Sequence, residues 1–299
     1  MNRIVVPLDG SDVAEKVLPY VTALAARSDA KLVLVSCVEP VAQWDREKGA
    51  LRWDSEEVLA SQYLVGVSEK ILAPKGIGVE LRVVYGGAGE SILKVAEEEN
   101  ADLIAISTHG RSGIKRWVLG SVARKVLEGA EVPLLLVRAG AAAVESWSVS
   151  RVLVPLDGSG LAEQVLPRVK ELASLFDLEV VLFTAVSPPH TYSGIEPKPP
   201  ASWALVLSEM EASAKDYLSR TQATLRRDGL KVVSRYAVSP PTDGILAAAQ
   251  DSRADLIAIA THGRSGLGRA IFGSVADAVV RRSGLPCLVI RPRETQPPE

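Results

Sequence analysis

Two hydrophobic rhythms alternate along the chain. Short apolar runs rich in Val, Ile and Leu occur at residues 4–8, 32–38, 101–107 and 133–138, and residues 79–85 alternate apolar with polar. Runs of this length, bounded by turn residues, read as strands. The stretches between them carry apolar residues at helical spacing. In the first stretch these are Val13, Val17, Leu18, Val21, Leu24 and Ala25. Asp9-Gly10-Ser11 closes the first strand and places Ser11 to cap that helix. Further helices are predicted over residues 55–72, 89–99 and 121–127. Pro19 falls inside the first helical stretch, where a proline costs about 3 kcal/mol. Pro167 recurs at the matching place, so the pattern predicts a tolerated kink within one helix. Continuous apolar strands separated by helices predict a parallel sheet covered on both faces, a doubly wound α/β domain.

The pattern occurs twice. IVVPLDGSDVAEKVLP, from residue 4, returns from residue 152 as VLVPLDGSGLAEQVLP, with 11 of 16 positions identical. ADLIAISTHGRSGIKRWVLGSV, from residue 101, returns from residue 254 as ADLIAIATHGRSGLGRAIFGSV, with 16 of 22 identical. The offsets, 148 and 153, imply a five-residue net insertion, placed in the Pro-rich stretch 187–201. A period near 150 means duplicated domains, because solenoid repeats run about 20–50 residues. The 299 residues therefore divide into a first domain over 1–139, a linker over 140–149, a second domain over 150–292 and a polar tail over 293–299.

Composition narrows the function classes. The net charge of −2 offers no basic field for nucleic acid or an anionic membrane. No apolar run approaches the ~20 residues of a membrane helix, and the N-terminus enters a strand without a signal-peptide apolar region. The expectation is a cytoplasmic protein with no nucleic-acid or membrane partner. Cys37 and Cys287 have no Cys or His at metal-ligand spacing, so no metal site is expected.

In open α/β sheets ligands bind beyond the carboxyl ends of the strands, where the strand order reverses. Pro7-Leu8-Asp9-Gly10-Ser11 lies at such an end, with residues 155–159 as its copy. So does Thr108-His109-Gly110-Arg111-Ser112-Gly113, which leads to Gly120-Ser121 at a helix start, with 261–266 and Gly273-Ser274 as its copy. Glycines let a backbone approach a phosphate closely, and the helix start offers free amides. Asp9 suits the hydroxyls of a ribose or the amino group of a base. The same glycines could equally make plain turns, and Asp9 a helix cap. His109 and His262 share one repeat position, open to loop packing, to lining a ligand and, least, to acting as a base. No P-loop, dinucleotide fingerprint, nucleophile elbow or zinc-protease motif is present, and no catalytic residue is assigned.

At these residues the chain resembles the universal stress protein family, specifically its tandem members, over nearly the whole of both halves. The V-P-L-D-G-S opening together with T-H-G-R-S-G…G-S-V is highly specific. The resemblance implies a five-stranded parallel sheet of order 3-2-1-4-5 in each domain, Rossmann-like and of the adenine nucleotide alpha-hydrolase type. It also implies dimer-like pairing of the two halves, here expected through the apolar fifth strands 134–138 and 287–291, with a homodimer of the chain as a further step. The family has an ATP-binding branch marked by G-x2-G-x9-G-[ST] and a branch that lacks the motif and ATP. The motif's second glycine falls on Gly110 and Gly263, and its end on Gly120-Ser121 and Gly273-Ser274. The family's aspartate toward adenine and ribose falls on Asp9 and Asp157, beside Pro7 and Pro155. Its strand-two residue against adenine falls on Cys37 and Ala185, or one place on at Val38 and Val186. His109 and His262 match the motif histidine, and Val122 and Val275 lie just inside the last helix. The first glycine is replaced by Ser107 and Ala260, which departs from the strict motif. The implied cofactor is ATP, with ADP or AMP as alternatives and Mg²⁺ only through the nucleotide. The implied function is that of a nucleotide-responsive stress or regulatory protein. The alternatives are a nucleotide-free interaction module and, more weakly, a slow ATPase or autophosphorylating protein.

Overall fold

The computed structural model describes residues 1–38, 43–45, 50–52, 54–108, 119–138, 145–187, 201–261 and 272–292. The chain forms two compact units, one of Met1–Ser148 with Gly284–Leu288 and the other of Val149–Ser283 with Val289–Glu299. The first unit runs β1 (Arg3–Pro7), α1 (Asp12–Glu15), α2 (Leu18–Ser28), β2 (Lys31–Val38), β3 (Gln43–Asp45), β4 (Ala50–Arg52), α3 (Asp54–Val67), β5 (Val79–Tyr85), α4 (Ala88–Glu98), β6 (Leu103–Ser107), α5 (Ser121–Gly129) and β7 (Leu134–Val137). The second runs β8 (Arg151–Pro155), α6 (Gly160–Glu163), α7 (Leu166–Phe176), β9 (Glu179–Val186), α8 (Ala201–Arg227), β10 (Lys231–Val238), α9 (Pro241–Asp251), β11 (Leu256–Ala260), α10 (Ser274–Arg282) and β12 (Cys287–Ile290).

The long strands stand in the order β5-β2-β1-β6-β7 in the first half and β10-β9-β8-β11-β12 in the second. Both are the expected 3-2-1-4-5. Pairing is parallel, with Pro7 opposite Val35 and Ser107 opposite Val137. In the second half Pro155 stands opposite Phe183. Strand order reverses between β1 and β6, and again between β8 and β11. The strands there are apolar on both faces because helices cover both: Ile4, Val5, Val6 and Ile104 are fully buried, as are Leu153, Val154 and Ile257. Each such side chain stabilises the fold by roughly 1.5–3 kcal/mol. The edge strand β5 carries the exposed Leu81 and Tyr85.

The kink expected at Pro19 is a break between two helices. α1 ends at Glu15 and α2 begins at Leu18, so Pro19 stands in the first turn of α2; Pro167 holds the same place in α7. First-turn amides have no intrahelical acceptor, so a residue without an N–H loses nothing there. The joint keeps right-handed helical dihedrals at Lys16 and Val17. Tighter bonds bridge it, Lys16 N–H to the Val13 carbonyl and Val17 N–H to that of Ala14, both at 3.4 Å.

The helix predicted over 55–72 is α3, continued by a single π-helical turn at Ser68–Leu72. Its counterpart α8 is longer, 27 residues against 14. The antiparallel β3–β4 pair was not foreseen. Trp147, in the expected linker, stacks at a tilt on Tyr20 of α2, with ring centroids 5.2 Å apart. The expected insertion and the polar tail lie largely outside the described residues. Among those described, no helix is long and apolar enough to cross a membrane.

Candidate functional site

Each half holds a cavity at the point where its strand order reverses. The turn after β1 builds one wall. Gly10 has φ 81°, and Gly158 in the copy has φ 82°, values that an L side chain disfavours. That turn folds Ser11 back onto Asp9, whose Oδ1 accepts the Ser11 N–H at 3.0 Å and its hydroxyl at 2.5 Å. Ser11 Oγ in turn accepts the Ala14 N–H at 3.1 Å and caps α1. Asp157 and Ser159 repeat the set at 2.9, 2.6 and 3.2 Å. The capping residue is therefore Ser11, and Asp9 orients it while also lining the cavity.

The opposite wall is the strand-four end and the helix after it. Gly120 N–H donates to the Thr108 carbonyl at 2.8 Å, and Gly273 to that of Thr261 at 2.8 Å, which ties each helix start to its strand end. Gly120 and Gly273 are the N-cap residues of α5 and α10, and neither helix has a side-chain cap. The first intrahelical bonds run from Arg124 to the Gly120 carbonyl and from Asp277 to that of Gly273, both at 2.9 Å. The amides of Ser121, Val122 and Ala123 precede that bond, as do those of Ser274, Val275 and Ala276. All six residues line the cavities. Uncapped first-turn amides at the positive end of the helix dipole attract an anion.

The first cavity, about 210 Å³, brings together Pro7, Asp9, Cys37, Ser107, Gly120, Ser121 and Val122. The second, about 600 Å³, brings together Pro155, Asp157, Ala185, Val186, Ala260, Gly273, Ser274 and Val275. Val38, one place along β2 from Cys37, is buried and does not line the first cavity. His109, Gly110, His262 and Gly263 lie outside the described residues.

Several lining residues were not read from the sequence. Ala88 and Ile92 of α4 have Pro241 and Ile245 of α9 as repeat equivalents, so the repeat itself carried that signal. Phe183, Met210 and Tyr217 line only the larger cavity. Tyr63 of α3 donates its hydroxyl to Glu15 Oε1 at 3.0 Å. Burial, then the neighbouring Glu15 and Asp9 carboxylates, push that phenol above its ordinary range. Burial and Glu163 raise Tyr217 in the same way. Burial pushes the Cys37 thiol up to about 11, so it stays protonated at neutral pH. Among the described residues no cluster of three or more His, Cys, Asp or Glu could hold a metal.

Each half is thus a doubly wound α/β unit whose switch-point cavity is lined by both a carboxylate and an uncapped helix start. The chain belongs to the universal stress protein family, whose sequence profile matches residues 1–138 and again 148–291. A universal stress protein of Mycobacterium bovis is 25% identical over 298 residues, covering 97% of each chain. A solved universal stress protein from Archaeoglobus fulgidus superposes with a TM-score of 0.71 at 22% identity, covering 97% of this chain and 98% of that one. A putative universal stress protein from Pseudomonas aeruginosa gives 0.68 at 18% identity, over 98% and 94%. The profile match shows the family, and the superpositions show the fold.

Proposed function

We propose that this chain is an ATP-binding universal stress protein, with one adenine-nucleotide site in each half, and that nucleotide occupancy regulates what it does. The observation that carries the reading is the duplicated cavity, with Asp9 or Asp157 on one wall and a glycine-capped helix start on the other. The carboxylate accepts hydrogen bonds from ribose hydroxyls or the base amino group, and the helix amides receive phosphate oxygens. The larger cavity lies within the ~300–1,000 Å³ of typical small-molecule sites. Mg²⁺ would enter with the nucleotide, not through a protein cage. With no P-loop lysine in the sequence and no cluster of metal-binding carboxylates among the described residues, charge developing on a transferring phosphoryl group is poorly stabilised, so hydrolysis is at most slow.

The test starts with protein as purified. Denatured protein should release adenine nucleotide, seen as absorbance at 260 nm and identified by mass, and nucleotide-free protein should bind ATP in a calorimetric titration. Absence of binding up to millimolar ATP would sink the reading and leave a nucleotide-free interaction module of the same fold.

A further inference from the structure

The two halves differ at a buried position at the end of the fourth strand. Ser107 ends β6 and Ala260 ends β11; they hold the same repeat position, line their respective cavities and are 5% and 6% exposed. Ala260 offers a methyl group. Ser107 offers a hydroxyl whose Oγ has no hydrogen-bond partner among the described residues. A buried hydroxyl without a partner is unfavourable, and native proteins keep few of them. Thr184, a buried hydroxyl on the wall of the second cavity, shows the usual solution: it donates to the Leu156 carbonyl at 2.9 Å. Position indicates what Ser107 awaits. It lies across the switch point from Asp9, and one residue before Thr108, whose carbonyl anchors the start of α5.

We propose that Ser107 Oγ is a ligand-contacting group that hydrogen-bonds the ribose–phosphate segment of a nucleotide in the first half only, making the two sites chemically distinct. The inference rests on the nucleotide reading above. If Asp9 takes the sugar hydroxyls and the α5 amides take the phosphates, the segment joining those two parts must cross the end of β6. The hydroxyl both donates and accepts, so it can meet a ribose or a phosphate oxygen. The second half, with Ala260 there, binds without this contact.

The experiment uses AMP, which contains that segment, titrated calorimetrically into full-length Gly273→Val protein so that only the first half responds. Adding Ser107→Ala should weaken binding about fivefold, the size of one neutral hydrogen bond. The ligand-free Ser107→Ala protein should melt no lower than its parent, because the hydroxyl it removes is unpaired. Affinity within twofold of the parent overturns the proposal and leaves the nucleotide reading standing. A fall in the ligand-free melting temperature also overturns it, by making Ser107 a structural residue. No AMP binding by the parent overturns this proposal, and no binding of ATP by that same protein overturns the nucleotide reading in the first half as well.

Discussion

Cys37 lines the first cavity and is partly exposed, whereas Cys287 of β12 is buried. Only the thiolate attacks an alkylating reagent. With its thiol pushed up to about 11, Cys37 is ionised to only roughly a thousandth at pH 8. We expect slow alkylation that speeds up about tenfold per pH unit until that value is approached, followed by mass spectrometry of the Cys37 peptide. A bound nucleotide should slow it further, with Cys287 as the unreactive internal control. Fast labelling at neutral pH, indifferent to ATP, would mean that the thiol does not face the site. Residues of this kind were only half legible in the sequence. Asp9, Gly120 and Ser121 stood out because each chemical type sat at a predicted strand or helix end. Cys37 and Val38 could not be separated, because β2 is buried on both faces and its pattern has no alternation to mark which face looks into the cavity. Phe183 was hidden for the same reason in β9, and Tyr217 because a lone aromatic on a long helix reads as core.

At the scale of elements, α1 and α2 behave as two helices sharing one path. The sequence pattern ran straight through the joint because Val13, Val17 and Val21 keep helical spacing and the backbone stays right-handed at Lys16 and Val17. What the pattern could not carry is the hydrogen-bond ladder, which steps to tighter bonds before Pro19. The consequence is measurable. A mid-helix proline would make Pro19→Ala stabilising by about 3 kcal/mol. In a first turn the change should stay within about 1 kcal/mol of neutral, on the destabilising side if proline's restriction of the unfolded chain dominates. Chemical denaturation of Pro19→Ala and Pro167→Ala distinguishes the two. A gain near the larger figure in either variant would mean that proline strains a single continuous helix. The fifth strands were legible because short continuous apolar runs in an α/β alternation read as buried parallel strands, whereas the sheet order was implied by the family resemblance and not by the pattern itself. The β3–β4 pair was not legible, since three-residue strands leave too few positions for a period to show.

For the whole molecule, duplication gives two cavities that are alike in design and unlike in size, about 210 and 600 Å³. Val35 and Phe183 hold one repeat position, as do Cys37 and Ala185, so the two sites have already diverged along the same wall. If each half binds its own nucleotide, removing one helix start should remove one site and leave the other. Gly120 and Gly273 are suitable places to cut. Their φ values, −58° and −62°, accept any L residue, and as N-caps they supply no side-chain bond that a valine would lose. A valine side chain there would instead crowd an anion on the first-turn amides. Calorimetry with ATP should therefore give two sites in the parent, one in Gly120→Val, one in Gly273→Val and none in the double variant, with circular dichroism unchanged throughout. The remaining site in each single variant should keep its own affinity, and the two affinities should differ. Ligand at a hundred times its dissociation constant stabilises a binding unit by about 2.7 kcal/mol, so the thermal shift should follow the intact half. Full binding in the double variant would place the phosphates away from α5 and α10. Loss of both sites from either single substitution would mean instead that the halves cannot bind independently.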